Sequence, residues 1–504
     1  MLLVTFHAPA KGECGWYRTV RPPPAPFVTL ATHGPMQIHD ALARHFGFAS
    51  FRGCQESAIR SVIDGNATMI IAPTGSGKSL CYQIPAMVWN EPADIVVVLS
   101  PLIALMQDQV DSMTKRGIDA TFVNSSLSSD ERQERYRGIA ENRFRLLYVT
   151  PERFRKPEFL DAIGKRNVRL LAVDEAHCVS QWGHDFRPDY SRLDEIRKTL
   201  REPIVMALTA TATGECQRDI ADQIGIPWDQ WRLFHEGIDR PNLELDVIEV
   251  YGDSEKIDAI ESIHRDPRLK GGSHIIYFSL IKTLESFSER LRDLELSHSV
   301  YHGDLSRHDR RRIQTRFMNG DQRLVLATNA FGMGIDKEDI RTVIHAETPG
   351  SIESYYQEVG RAGRDGEPSR CVWLYDQADL MIQMQFIDWR NPDADYYGRL
   401  MHLLQERGEE CRAFGLEWMN ETLQRVSRHD HRLQTAIAML DRRAIIAGPQ
   451  PPDCFELLSH VDGAVQDTWS LDEKKRRDQQ RLLAMVQFAR HDGDRKGFLN
   501  DYFA

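Results

Sequence analysis

Short, continuous apolar runs recur along most of the chain, separated by stretches whose apolar residues return every three or four positions. Met69-Ile70-Ile71, Ile95–Leu99, Leu146–Val149, Leu170–Val173 and Ile204–Leu208 form one set. Ile275–Phe278, Leu324–Ala327, Val343-Ile344 and Cys371–Leu374 form a second set, after about Asp239. A run without polar alternation predicts a strand buried on both faces, as in a parallel sheet, and the stretches between predict crossover helices. The expected fold class is α/β, with two tandem parallel-sheet lobes. After Asp376 the pattern turns mostly helical, over Tyr396–Gln405, Leu416–Val426 and His431–Arg443. The apolar run Ala444–Ala447 and a Gly448-Pro449 turn follow, and three helices before a strand and turn read as a winged-helix-like module. Lys474–Ala489 predicts a basic amphipathic helix, and Phe498–Phe503 closes the chain. Residues 1–35, with Pro22-Pro23-Pro24 and Pro26, show no periodicity and are expected to be a flexible extension, with Met36 a possible true start. The expected division is 1–35, first lobe 36–238, second lobe 239–378, helical module 379–468 and helical tail 469–504.

The length, 504 residues, fits about three domains. With 41% hydrophobic and 27% charged residues the chain is neither largely disordered, collagenous nor a disulfide miniprotein. No run approaches the roughly 18 apolar residues of a membrane span, and Pro9 and Lys11 interrupt the opening Met1-Leu2-Leu3-Val4 too early for a signal-peptide core. The expected location is cytoplasmic, with nucleoid association if the source is prokaryotic. The eight cysteines include no Cys-x-x-Cys pair, which argues against a zinc ribbon or a disulfide framework. The net charge of −11 argues against an obvious nucleic-acid binder, because phosphate backbones attract clustered Lys and Arg.

The candidate chemistry changes that picture. Ala72-Pro73-Thr74-Gly75-Ser76-Gly77-Lys78-Ser79 lies between a predicted strand and a predicted helix. It departs from the usual phosphate loop only at Ala72, where a glycine is expected. Backbone N–H groups of Thr74 to Ser79 would cradle phosphates, Lys78 would supply a mobile positive charge, and Ser79 would offer its hydroxyl to Mg²⁺. Asp174 and Glu175 end another apolar strand; Asp174 would hold Mg²⁺ and Glu175 would polarise the attacking water. Two acids after a strand are by themselves an ordinary solvated turn, but with a phosphate loop about 100 residues upstream they argue a nucleoside triphosphatase whose phosphates lie at the C-terminal edge of a parallel sheet. Gln357-Glu358-Val359-Gly360-Arg361-Ala362-Gly363-Arg364 places two arginines on a glycine-punctuated turn in the second lobe, where they could stabilise charge on a transferring phosphoryl group.

In this order these residues resemble a superfamily 2 helicase and, more narrowly, the RecQ family, over about residues 42–375. The resemblance implies two RecA-like lobes with ATP and Mg²⁺ in the cleft between them. Leu42-x-x-x-Phe46-Gly47-x-x-x-Phe51-Arg52-x-x-Gln55 resembles the motif that recognises adenine, which implies nucleotide contacts by Phe46, Arg52 and Gln55. The run from Ser100-Pro101 through Gln107 resembles motif Ia, and Thr150-Pro151-Glu152-Arg153 motif Ib; both imply contact with a single-strand backbone. Thr209-Ala210-Thr211 resembles motif III, which with His177 links ATP state to lobe movement. Ala327-Thr328 through Asp336-Lys337 resembles motif V, implying a DNA contact at Thr328 and a nucleotide contact at Asp336. Gln357 to Gly366 resembles motif VI, which implies that Arg361 and Arg364 face the γ-phosphate. The stretch Cys178 to Tyr190 resembles the family's aromatic-rich loop, which senses single-stranded DNA. There Gln181, Trp182, Phe186 and Arg187 supply the stacking surfaces and charge that single-strand binders use.

The chain departs from the family near its end. Leu482-x-x-Met485-x-x-Phe488 and the following Arg495-Lys496-x-x-Leu499 resemble the helical hairpin of the family's four-cysteine zinc subdomain, but Asp494 stands where the first zinc cysteine is expected. No structural zinc and no HRDC domain are therefore expected, and Cys411 is expected to be a buried apolar cysteine. The basic runs Arg307–Arg316 and Lys474–Arg477 read equally as DNA contacts or solvated helix faces. The function expected is a 3′→5′ ATP-dependent DNA helicase acting on single-stranded and tailed duplex DNA in repair or recombination. The polarity rests on the resemblance alone. The alternatives are a translocase or RNA helicase that does not separate DNA strands, and an ATP-switched DNA-binding subunit of a larger complex.

Overall fold

A computed structural model describes residues 36–503 apart from 90, 102, 181–189, 191, 270, 333–334, 427–429, 443–444, 451–453 and 458–467. The predicted N-terminal extension and the aromatic-rich loop with Gln181, Trp182, Phe186 and Arg187 lie outside the described residues. The chain divides into two compact units, one running to Ile238 and the other from Asp239 to Tyr502.

The first unit is built on a seven-stranded, wholly parallel sheet. Its strands are β1 (Ala67–Ile71), β2 (Asp94–Leu99), β3 (Ala120–Val123), β4 (Leu146–Val149), β5 (Asn167–Val173), β6 (Ile204–Thr209) and β7 (Trp231–His235), in the order β3-β4-β2-β5-β6-β1-β7. Side chains alternate across a strand, so β2 sends Val96 and Val98 into one core and Ile95, Val97 and Leu99 into the other. That is why its sequence is apolar throughout. Each such side chain contributes about 1.5–3 kcal/mol on full burial, so an Asp at Val97 would destroy the unit.

The second unit has a six-stranded parallel sheet of β8 (Leu243–Glu249), β9 (Ser273–Tyr277), β10 (Ser299–Tyr301), β11 (Leu324–Ala327), β12 (Ile340–His345) and β13 (Ser369–Tyr375). Their order is β10-β11-β9-β12-β13-β8. The apolar runs foretold the interior strands of both sheets. The four they missed, β3, β7, β8 and β10, are the four edges. β7 and β8 are mostly half-buried and carry polar residues, while β3 and β10 are short.

The helical region belongs to the second unit. The helix Leu380–Arg390 packs beside the long helix Thr468–Ala489. Between them the chain makes helices Ala394–Glu406, Gly408–Thr422 and Arg432–Arg442, then an antiparallel pair, β14 (Ile446–Gln450) and β15 (Cys454–Leu457). The second helix starts earlier than its apolar pattern suggested and breaks at Gly415, whose φ of 71° interrupts helical geometry. Cys411 is wholly buried among Leu400, Leu404 and Met419, and burial raises its thiol pKa. The two lysines of the basic run at 474 are paired within the unit. Lys474 Nζ donates to Asn391 Oδ1 at 2.8 Å and lies 3.3 Å from Asp478, and Lys475 pairs with Asp388 at 2.7 Å. Asp494, at the expected zinc position, accepts from Lys496 N–H at 3.0 Å in the first turn of the helix Arg495–Phe503. Among the described residues no helix is long and apolar enough to cross a membrane.

Candidate active site

Residues 72–79, Ser100, Thr150, Asp174, Glu175 and Thr209 lie at or just after the C-terminal ends of parallel strands of the first unit, where loops can present side chains and N–H groups together. Residues 72–79 connect β1 to the helix Leu80–Val88, which starts directly after Ser79. Gly75 and Gly77 have φ of 83° and 80°. Ala72 has no such backbone; it is 2% exposed, its methyl packs in the core and its N–H donates to Thr209 O at 3.1 Å, so the missing first glycine leaves the turn intact. Lys78 Nζ donates to the carbonyls of Ala72 at 2.7 Å and Pro73 at 3.1 Å. Ser76 Oγ is buried with no hydrogen-bond partner among the described residues.

Gln55 closes the loop from outside. Its Nε2 donates to Ser76 O at 2.9 Å and Gly77 O at 3.2 Å, while its Oε1 accepts from Arg52 N–H at 3.0 Å. A Cβ at Gly77 would sit 2.7 Å from that Nε2, so both the positive φ and the space demand glycine. The Arg52 guanidinium lies 6.0 Å from the Phe48 ring, and Phe46 is buried with Arg116 stacked 5.3 Å from its centroid. Phe46 thus belongs to the core of the first unit.

Asp174 follows β5 and is 8% exposed. Burial first, then the neighbouring Glu175, pushes its carboxyl up to about 7, with Lys78 pulling the other way. Glu175 holds a left-handed backbone (φ 49°), a strained conformation for a non-glycine residue, and its N–H donates to Asp174 Oδ1 at 3.1 Å. Its Oε2 lies 3.4 Å from His177 Nδ1. That nitrogen lies 3.1 Å from Thr209 Oγ1, which donates to Thr211 O at 3.2 Å and accepts from Thr211 N–H at 3.2 Å. His177, Thr209 and Thr211 therefore form one buried polar chain, which the partly buried Glu175 approaches without a hydrogen bond from its Oε2 among the described residues. The donor set, a hydroxyl at Ser79 and a buried carboxylate at Asp174, consists of hard oxygens and fits Mg²⁺.

Other predicted residues line the same edge. Ser100 and Pro101 are buried after β2, and Gln107 is exposed on the helix Ile103–Lys115. Thr150 Oγ1 donates to Glu152 Oε1 at 2.5 Å after β4, and Arg153 is 7% exposed, with its Nε lacking a hydrogen-bond partner among the described residues.

In the second unit, Thr328 is buried after β11 and accepts from Phe331 N–H at 2.9 Å. Gln357 lies on the helix Ile352–Val359, and Arg361 and Arg364 on the turn after it. Arg361 donates to Gly332 O, and Arg364 pairs with the exposed Asp336. The turn's braces went unseen in the sequence. Arg240 donates to Gly360 O at 3.2 Å, Ala362 O at 2.8 Å and Gly363 O at 3.0 Å. Asn242 donates to Gly363 O at 2.8 Å, and His345 Nε2 lies 2.7 Å from Glu358 Oε2. Only the pairing of Arg240 and Asn242 around Pro241 hinted at this, and nothing in the chain's order named their target.

The chain's resemblances agree with this geometry. The DEAD/DEAH box helicase family matches residues 52–220, and the helicase conserved C-terminal domain matches residues 255–366. The chain is 43% identical over 349 residues to the Bacillus subtilis "ATP-dependent DNA helicase RecQ", covering 69% of this chain and 57% of that protein. It is 38% identical to the "Probable ATP-dependent DNA helicase RecS" of the same organism, covering 74% of each. Among solved structures, the Mycobacterium smegmatis helicase Lhr bound to ssDNA and AMP-PNP matches with a TM-score of 0.54 at 23% identity, over 70% of this chain and 49% of that one, a likeness of fold. The chain thus spans little more than half the length of the first of these relatives. By its matched domains and its identity to these relatives, the chain belongs to the RecQ family of DEAD/DEAH-box helicases.

Proposed function

We propose that this protein is an ATP-dependent DNA helicase that couples ATP hydrolysis to 3′→5′ movement along single-stranded DNA and to unwinding of tailed duplexes. The observation that carries the reading is the buried polar chain from His177 through Thr209 to Thr211 at a second strand end, with the candidate hydrolytic acid Glu175 3.4 Å from His177. Such a chain lets a change at the nucleotide move a neighbouring loop rather than only release heat.

In this mechanism the N–H groups of Thr74 to Ser79 bind the phosphates and Gln55 holds the loop shut on the adenine side. Lys78 turns from the loop carbonyls to the β- and γ-phosphates. Ser79 and Asp174 hold Mg²⁺, which neutralises phosphate charge when bound. Glu175 orients the attacking water, and Arg361 and Arg364 stabilise charge on the phosphoryl group. Gln357 and Asp336 are assigned to the same nucleotide, and Phe46 and Arg52 to the adenine end. Ser100, Pro101, Gln107, Thr150, Arg153 and Thr328 contact the DNA backbone, and Gln181, Trp182, Phe186 and Arg187 sense it. Names of relatives such as "ATP-dependent DNA helicase RecQ" favour DNA over RNA.

The test is phosphate release from ATP with and without single-stranded DNA. The rate should rise with DNA and vanish when a chelator removes divalent cations. Release that ignores both DNA and chelator would contradict the proposal.

A further inference from the structure

The helix Ile352–Val359 carries Gln357 and leads straight into Arg361 and Arg364. Its far side is covered by the last two helices, Thr468–Ala489 and Arg495–Phe503. Phe488 lies against the Tyr355 ring at 5.2 Å between centroids and stacks on Trp373 at 6.5 Å with 10° between planes. Tyr502 Oη donates to Glu353 Oε1 at 2.9 Å, and Arg481 Nε lies 3.9 Å from the same oxygen. Glu353 is itself 5% exposed. A buried carboxylate needs such partners, and in exchange it fixes their position strongly.

We infer that the C-terminal helical hairpin is a positioning element for the motif VI arginines, acting through Phe488 on Tyr355 and through Tyr502 and Arg481 on Glu353. This rests on the proposed ATPase. The hairpin does not touch phosphate. It fixes the register and tilt of the helix Ile352–Val359, and so the position of the turn that follows. A displacement of about 1 Å at a charge-stabilising group is enough to cost up to 100-fold in rate. Motif VI is also braced by Arg240 and by the His345–Glu358 pair, so the hairpin adds a second set of contacts to the same helix and turn. The resemblance to a zinc subdomain then has a use that needs no metal.

The test uses the full chain with Tyr502→Phe, Glu353→Gln and Glu353→Ala. The turnover number for ATP at saturating single-stranded DNA is measured per folded molecule, with the folded fraction taken from circular dichroism. Tyr502→Phe should lower turnover roughly threefold to tenfold, with KM for ATP and DNA affinity held within about twofold. Glu353→Ala should lower it similarly, and Glu353→Gln, which keeps an acceptor for Tyr502, should restore it. Unchanged turnover per folded molecule in Tyr502→Phe would overturn the inference. So would a loss expressed in KM alone, or equal losses in the two Glu353 variants. If the wild-type chain hydrolyses no ATP, the proposed function itself fails first, and the inference falls with it.

Discussion

In the phosphate loop, Lys78 is held by carbonyls six and five residues before it. In the motif VI turn, Arg361 and Arg364 are held by groups 29 and 28 residues away, and the turn is braced by Arg240 and Asn242, 120 or more residues upstream. The first site is a local object. Its glycines, its lysine and the helix it opens define it within eight residues. The second depends on the assembled sheet: remove β12, or the hairpin behind the motif VI helix, and the arginines lose their frame. One region therefore fails when its own residues change, and the other fails also when distant ones do.

Direct loss of charge should hurt both sites most. Lys78→Ala should abolish measurable ATP hydrolysis, and Arg361→Ala should lower turnover by about 10³-fold, the usual range for a charge-stabilising arginine. Steady-state phosphate release checks both; a variant within tenfold of wild type would remove that residue from the chemistry.

The glycines should separate the regions next. Gly77→Ala adds roughly 1–2 kcal/mol of backbone strain and displaces the Gln55 amide, so KM for ATP should rise and the melting temperature should fall by only a few degrees. Gly363→Ala meets φ of 58°, with Asn242 Nδ2 2.3 Å and Glu367 O 2.9 Å from the new Cβ. It should lower both stability and turnover. Thermal melts paired with ATP titrations would show the split, and identical profiles for the two variants would erase the distinction between local and assembled sites.

The last effect appears only in acid. His274, on β9 of the second unit, is buried and held neutral, its pKa lowered to about 4 first by burial and then by His264 and Arg323, with Asp339 opposing. A depressed folded value means that its contribution is present above the unfolded pKa of about 6.5 and is lost as pH falls toward 4, up to about 3 kcal/mol in all. Melting temperatures between pH 7 and pH 4 should fall less steeply in His274→Gln than in wild type. Parallel curves would mean that the imidazole carries no such penalty.

The same division explains what the sequence made legible. Interior strands such as Ile95–Leu99 were plain because burial on both faces leaves no polar alternation, whereas edge strands such as Leu243–Glu249 carry polar residues and looked like connections. Lys78, Asp174 and Glu175 were readable because phosphate and acid chemistry needs those types beside one another. Gln55 was readable only through family resemblance; its bond to the loop, 21 residues away, is a product of folding. Tyr502 and Glu353, separated by 149 residues, carried no local sign of each other. The net charge of −11 is equally silent about particular contacts. A net charge is a sum over the whole chain, and the proposed DNA contacts need only a few local groups.

The most direct measurement is strand separation on 3′-tailed, 5′-tailed and blunt DNA duplexes, and on the matching RNA duplexes, with and without ATP, for wild type and Lys78→Ala. Wild type should separate the 3′-tailed DNA duplex when ATP is present and act much more weakly on the other substrates, and Lys78→Ala should separate none. ATP hydrolysis without separation of any DNA duplex, or equal activity on RNA, would contradict the proposed function.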